Sequence, residues 1–600
     1  MVGKRRELII FILIMFFQIL TIVYWANEKC NYHVDELYSL GYASILTGKG
    51  DGAQYITMSP EFTFNEWISN DRLKRQLVVN EEEKITNAPL IDVIKKTVVG
   101  SNYVPLLNMA ETFWGGEQVS VKPGLIINLV FFVIACVELV SLMTKLGVDK
   151  RVRYIMVAMF GFSGYMISAA VYIRFYMLVI MYMLIMLNLF YRLWSCNSWR
   201  LSIVLVSGIA IMAYLSYRDS EFMLPFFCAF MSAFVVALIC RKKWKQLIVC
   251  AVTGVLGFVF IITTSDFVGI LITPGRYDAS NGVYVSASNT IRSASLSSVM
   301  EYMLWLKELF ETKYFAAKSM VYIMVAVVTI VIIVVSGANG NTIHKFEMSR
   351  IHPLIPVAFL AWIGIYGVSS LLGQGRLICL LVIYTISFIG VAQALDFKMK
   401  IRISRFSPDT MFIMVLAAEL VVYTLFVALC QYSIWRYYCY GFVSATIIFW
   451  YLIDRLLKRL RTDQLRNALI VALTFCVFAN SLMFFGTRNI ENIYEDEKVF
   501  ITDVQANQNI DVVLISDVEN GVISRHEAYD CVNMMPDNAR LYFVNLGEYS
   551  FDIVDYPDQF LLWSYIERDL SGVLSDLRRH GYNVEDLGND HCSKVYMCRM

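Results

Sequence analysis

Apolar residues run almost without interruption from Leu8 to Ala26, directly behind Lys4-Arg5-Arg6. A helix needs roughly 20 such residues to cross a bilayer. No Ala-x-Ala cleavage site follows the run, so it is expected to be a retained first span rather than a signal peptide. From Asn27 to Lys122 the pattern changes to charged residues with apolar–polar alternation. That stretch predicts short helices, some lying on the membrane surface. Twelve further apolar runs follow, at Leu125–Thr144, Tyr154–Tyr172, Phe175–Trp194, Leu201–Tyr217, Phe222–Cys240, Leu247–Ile272, Met320–Val335, Leu354–Leu372, Leu377–Leu395, Met411–Cys430, Tyr440–Ile453 and Leu469–Phe485. The expected fold class is therefore an α-helical polytopic membrane protein with about 13 transmembrane helices.

Beyond residue 486 the period shortens. Asp511-Val-Val-Leu-Ile-Ser516, Arg540-Leu-Tyr-Phe-Val-Asn545 and Gln559-Phe-Leu-Leu-Trp563 read as strands, Ser571–His580 as a helix and Lys594–Arg599 as a last strand. Strands alternating with helices predict a small α/β domain. The chain thus divides into a membrane module, 1–486, with a first loop at 27–122, and a C-terminal domain, 487–600. There is no internal repeat and no Gly-rich phosphate loop, so no nucleotide is expected.

Charge orients this layout. Lys145/Lys150/Arg151/Arg153, Arg241/Lys242/Lys243/Lys245, Lys398/Lys400/Arg402/Arg405 and Arg455/Lys458/Arg459/Arg461/Arg466 fall in alternate loops, whereas the other short loops carry about one Arg each. The positive-inside rule places the former loops and the N-terminus in the cytoplasm. An odd number of spans then puts the C-terminal domain outside. Composition agrees with a membrane setting. Apolar residues make up 58% and charged residues 17% of the chain, against about 45–50% and 25% in soluble domains. Mean hydropathy is +0.56. A net charge of +1 gives no basic footprint for a nucleic-acid partner. The 13 cysteines are scattered, many within apolar runs, without zinc-site spacing. Cys531, Cys592 and Cys598 are candidates for a disulfide in an extracellular tail. The six histidines form no His-x-x-x-His pair, so no metal or cofactor is expected.

The candidate chemistry lies at the outer ends of the spans. Arg174 opens the fourth span in Tyr172-Ile-Arg-Phe-Tyr176, Arg376 ends Gly373-Gln-Gly-Arg376, and Arg436 lies in Trp435-Arg-Tyr-Tyr438. A guanidinium at such a position must be paired or hydrated, and its fork suits a phosphate. Each could equally snorkel to interfacial phospholipid. His33-Val-Asp-Glu36 places two adjacent carboxylates just beyond the first span. They could be a reactive pair or simply a helix N-terminus.

Together these residues resemble the polyprenyl-phosphate-sugar-dependent membrane glycosyltransferases of the GT-C superfamily, the group of protein O-mannosyltransferases and lipid A aminoarabinose transferases. Asp35-Glu36, with its continuation in Val34-Asp-Glu-Leu-Tyr-Ser-Leu40, looks like the family's DE motif. Ile167-Ser168 with Tyr172-Ile-Arg-Phe-Tyr-Met177 is similar to the I-S…I-R-M-Y segment of bacterial members. Pro105-Leu-Leu, Gly115 and Ile126-Ile-Asn128 resemble the end of the first loop and the second span. The chain departs from relatives at Ser101-Asn-Tyr-Val-Pro105, where an Asp and a His are common, and at Tyr217-Arg-Asp-Ser-Glu221, where Thr-His-Tyr is common.

The resemblance implies inverting transfer of a sugar from a polyprenyl-phosphate donor to an extracytoplasmic glycan, lipid or protein. It implies Asp35 as general base with Glu36 supporting it. Arg174, Arg376 and Arg436 are then expected at the donor phosphate, and Tyr172, Tyr176 and Asp219 near substrate. The donor's tail would stay among membrane lipids. Two alternatives stay open: a transporter of polysaccharide or lipid carrier, and an inactive relative that serves envelope assembly.

Overall fold

A computed structural model of the chain describes residues 2–45, 65–74, 102–115, 119–220, 222–264, 274–278, 283–286, 296–320, 407–430, 434–460, 462–507, 510–516, 518–519, 522–523 and 525–600. The protein is a multi-pass helical membrane protein carrying one larger sheet. Among the described residues, eight helices are long and apolar enough to cross a membrane, and a bent pair makes a ninth if it counts as one span. The expected spans at 320–335, 354–372 and 377–395 lie almost wholly outside the described residues.

The first span lies within α1 (Val2–Asn27), and Asp35 and Glu36 sit in the first turn of α2 (Val34–Ile45). The predicted span Tyr154–Tyr172 is broken: helices Lys150–Gly161 and Gly164–Val171 meet at 53°. The break has a local cause. Ser163 caps the second helix, its Oγ accepting from the Met166 amide. A side chain at Gly164 would collide with the Phe484 ring and the Asn489 carbonyl, so the glycine lets these segments approach closely. The helix Tyr176–Ser195 is the hub of the bundle, with 83% of its apolar window buried against 22% for α1. The short run expected at Tyr440–Ile453 extends to Cys439–Lys458.

Strand positions in the C-terminal part follow the expectation at Asp511–Ser516 (β4), Arg540–Asn545 (β7), Gln559–Tyr565 (β8) and Ser593–Arg599 (β10). Asn583–Asn589 (β9) joins them, and so does Trp67–Ser69 (β1), a strand contributed by the first loop. The sheet order is β1-β7-β4-β8-β10-β9. β4 runs parallel to β7 and β8, and the remaining pairs are antiparallel. Two short two-stranded pieces lie apart from it among the described residues: β2 (Pro274–Asp278) with β3 (Val283–Ser286), and β5 (Val518–Glu519) with β6 (Val522–Ile523).

Strand alternation divides this sheet's side chains between two cores. Val513, Ile515, Phe560, Leu562, Tyr596 and Cys598 pack on one face under the helix Ser571–Arg579. Val512, Leu514, Leu561, Trp563, Val595 and Met597 face the other way and join the core that continues into the helical bundle. The helix Arg525–Met534 intervenes there, and its Tyr529 packs edge-on against Tyr38 of α2, with ring centroids 5.5 Å apart. The sheet therefore sits on the end of the bundle that carries Asp35.

Cys531 and Cys598 are buried free thiols, and Cys592 is buried too. Cys531 and Cys598 belong to cores on opposite faces of the sheet, which explains why they do not pair.

Candidate functional site

The DE segment is built as a reciprocal helix cap. The Glu36 carboxylate Oε2 accepts from the His33 amide at 2.8 Å, and the Asp35 amide donates to His33 Nδ1 at 3.0 Å. This is the logic of a capping box, with His33 in the place usually taken by Ser or Thr. The helix N-terminus also favours the two negative charges.

The two carboxylates then diverge. Glu36 points inward and is fully buried. Its Oε1 and Oε2 accept from Lys29 Nζ at 2.8 and 2.7 Å, and Oε1 accepts from the Ile173 amide at 2.8 Å. Lys29 Nζ also donates to the Asn492 carbonyl at 3.0 Å. Burial lowers the Lys29 ammonium's pKa, while Glu36 opposes that shift. Glu36 thus links α2 to the segment between two spans, residues 172–175.

Asp35 points toward Arg174 and Arg436. Its Oδ1 lies 3.6 Å from Arg174 Nη2, and its Oδ2 lies 3.0 Å from Arg436 Nη2. Tyr172 Oη donates to Asp35 Oδ2 at 3.0 Å and accepts from Arg436 Nη1 at 3.0 Å. Arg174 Nη1 donates to Ser39 Oγ, one helical turn beyond Asp35, at 3.1 Å. The side chains of Arg174 and Arg436 are 12% exposed and that of Asp35 is 20% exposed, so the cluster is partly dry yet reachable. Burial alone would raise the Asp35 pKa. Arg174 and Arg436 outweigh it and hold the carboxyl well below its ordinary value. Burial pushes His33 down to about 3, with Asp35 opposing, so its imidazole is neutral at ordinary pH.

Local geometry aims Arg174. The helix Gly164–Val171 ends at Tyr172, and Asn128 Nδ2 donates to its freed carbonyls, Ala170 at 3.0 Å and Tyr172 at 2.8 Å. The Arg174 amide donates to the Tyr172 carbonyl at 2.7 Å, closing a tight turn before the span at Tyr176. Gly124 packs directly on Ile173. Arg436 sits in the 3-10 turn Trp435–Tyr438 that opens the span Cys439–Lys458. Its guanidinium lies over the Tyr172 and Tyr437 rings at 5.7 and 5.6 Å.

The structure brings Asp35, Arg174, Arg436 and Tyr172 into one cluster. Tyr176 stacks on Tyr172, with centroids 5.8 Å apart, and is buried. Asp219 stands elsewhere: its carboxylate accepts from the Asn102 amide and side chain, both at 2.9 Å, and from the Tyr103 amide at 3.2 Å. It fastens the first loop's last helix to the span Trp199–Asp219. Arg376 lies outside the described residues.

Four partners were given no role at the site by the sequence: Lys29, Ser39, Asn128 and His591. Ser39 alone had a local signal, being four residues past Asp35 on the same helix. The His591 ring, from the turn before β10, stacks 5.7 Å from His33. The opposite end of the bundle gathers basic residues: Lys150 pairs with Glu7 at 3.2 Å, and Lys458 with Asp454 at 2.7 Å.

No protein-family model matches the chain, and no curated protein matches it either. Two solved structures match along nearly its whole length. ArnT from Cupriavidus metallidurans bound to undecaprenyl phosphate is 9% identical, with 98% of this chain and 97% of that chain covered and a TM-score of 0.46. The same protein in the apo state gives 9% identity, the same coverage and a TM-score of 0.47.

Proposed function

We propose that the chain is an inverting glycosyltransferase that moves a sugar from a polyprenyl phosphate to an extracytoplasmic acceptor. The observation that supports this reading is one carboxylate, Asp35, held between two guanidiniums, Arg174 and Arg436, at one end of a membrane bundle. A base and a pair of phosphate-binding cations are what the reaction requires. The acceptor hydroxyl loses its proton to Asp35 as its oxygen bonds to the sugar's anomeric carbon. The bond from that carbon to the phosphate oxygen breaks, and the departing phosphate takes up the negative charge beside Arg174 and Arg436.

With the guanidiniums paired to Asp35, the carboxylate is a weak base. A donor phosphate competes for the same guanidiniums. As it takes them, Asp35 loses the partners that depress its pKa and becomes a stronger base only in the complex. Glu36, saturated by Lys29, His33 and Ile173, positions Asp35 and the Arg174 turn instead of exchanging protons. The donor's polyprenyl chain remains in lipid while its headgroup meets the cluster. On this reading the cluster faces outside the cell, the N-terminus is cytoplasmic, and the sheet belongs to an extracytoplasmic domain.

The test is turnover of the reconstituted protein with a panel of polyprenyl-phosphate sugars, read as release of free polyprenyl phosphate. Release dependent on an added acceptor supports the reading. Transbilayer movement of intact lipid-linked sugar without release would favour transport and overturn it.

A further inference from the structure

We propose that Glu497, Asp590 and His591, with Asp530 closing the set, hold a divalent transition-metal cation where the C-terminal sheet meets the end of the first span. The ligand atoms of Glu497, Asp590 and His591 all lie within 4.8 Å of one another. They come from two places: Glu497 from the turn before the helix Lys498–Ala506, and the adjacent Asp590 and His591 from the turn between β9 and β10. Metal bonds of about 2.0–2.2 Å would bring such atoms somewhat closer, which rotation of the three side chains supplies.

Charge supplies the first reason. Glu497, Asp530 and Asp590 are 7%, 1% and 3% exposed. Among the described residues, no Lys or Arg lies within ion-pair distance of any of them, and His591 is the one cationic partner, 2.9 Å from Glu497 Oε1. Buried carboxylates in excess of their cations are costly.

Asp530 supplies a second and independent reason. It lies outside the triad, on the helix Arg525–Met534. Its Oδ2 accepts from Ser593 Oγ at 2.5 Å, while its buried Oδ1 has no hydrogen-bond donor. The Asp590 carboxylate lies against it, and Ser593 joins the two, its amide donating to Asp590 Oδ1 at 2.5 Å. His591 Nε2 is likewise buried without a partner.

The surrounding hydrogen bonds are those of an outer shell. Asn31 Nδ2 donates to Glu497 Oε2 at 3.0 Å and to Asp590 Oδ2 at 3.2 Å, and the His591 amide donates to Glu497 Oε1 at 3.0 Å. Such partners orient ligands for a metal. Carboxylate oxygens combined with an imidazole suit zinc or manganese better than calcium, which takes oxygen alone. Asn31 is four residues before Asp35, so the ion would pin the sheet to the segment that leads into the candidate catalytic helix. This inference stands whether or not the chain transfers sugars.

The experiment uses the untagged, purified full chain. It is stripped with EDTA, incubated with Zn(II) or Mn(II) and desalted; retained metal is then counted by mass spectrometry and thermal unfolding is recorded. The expected result is one ion retained per wild-type chain, with a raised Tm that EDTA reverses. Glu497→Gln and Asp590→Asn should lose the ion. In the wild type, Zn(II) should also protect His591 from diethylpyrocarbonate, a readout that needs no variant to fold. A wild-type chain that retains no ion and gains no protection would overturn the site, leaving a shared proton to neutralise the carboxylates. Folded variants that keep the ion would overturn it equally.

Discussion

At the scale of single residues, Asp35 and Glu36 divide their roles: one meets the guanidiniums and the other holds the fold around them. Their adjacency was legible in the sequence, as was the nearness of Arg174 to Tyr172. The division was not, because it depends on Lys29 and Ile173, whose contact with Glu36 forms only after folding. Removing Lys29 leaves a buried carboxylate uncompensated, so Lys29→Met should destabilise the protein by about 3–5 kcal/mol; urea or thermal unfolding in detergent would show it. Arg174 uses two nitrogens at once, one on Ser39 and one toward Asp35. A Lys ammonium cannot hold that fork geometry. Arg174→Lys should therefore lose most turnover at matched expression, whereas an Arg that merely anchors at the interface would tolerate the change. pH gives a third expectation. In the free protein Asp35 has a depressed pKa, so it stays ionised well into the acid range. A donor phosphate that takes Arg174 and Arg436 raises that pKa in the complex, and protonation at low pH removes the base. The acid limb of kcat should therefore lie at higher pH than that of kcat/KM; coincident limbs would show that the guanidiniums stay on Asp35.

At the scale of elements, apolar runs marked the spans among the described residues well and their breaks poorly. Tyr154–Tyr172 is a continuous apolar run, yet Ser163 and Gly164 divide it into two helices. The packing of Phe484 against Gly164 that favours the break comes from a helix three hundred residues away. The same limit hid β1, whose three residues pair with β7 across most of the chain. Periodicity did find β4, β7, β8 and β10, since each is a short run with buried neighbours on both faces. Asn128 and Gly124 show how a span positions chemistry it does not carry. A methyl at Gly124 would overlap Ile173, whose amide holds Glu36. Gly124→Ala should therefore lower turnover at least as much as it lowers stability, with KM for the donor rising as Arg174 shifts. A fall in Tm with unchanged kinetics would separate the packing of this helix from the site.

At the scale of the whole molecule, the sheet and the Asp35 cluster lie at one end of the bundle, and the basic loops among the described residues lie at the other. Lysine and arginine counts turn that polarity into an expected membrane orientation, and in the structure β1 and β10 share a sheet. With the N-terminus in the cytoplasm, single cysteines at Ser69 and Glu585 in a Cys-free background should both react with a membrane-impermeant maleimide from outside, and one at Arg5 should not. Protection of either sheet position in intact cells would reverse the layout. The central claim is that Asp35 is the base of a sugar transfer from a lipid phosphate. Asp35→Asn keeps the side chain's shape and its place between Arg174 and Arg436 while removing the charge. The most direct measurement is single-turnover transfer by wild type and Asp35→Asn with saturating donor, at equal donor occupancy. If Asp35 is that base, the variant still binds polyprenyl phosphate and its transfer rate falls by about 10²–10⁴-fold, the usual contribution of a general base. A variant that transfers at the wild-type rate would contradict it.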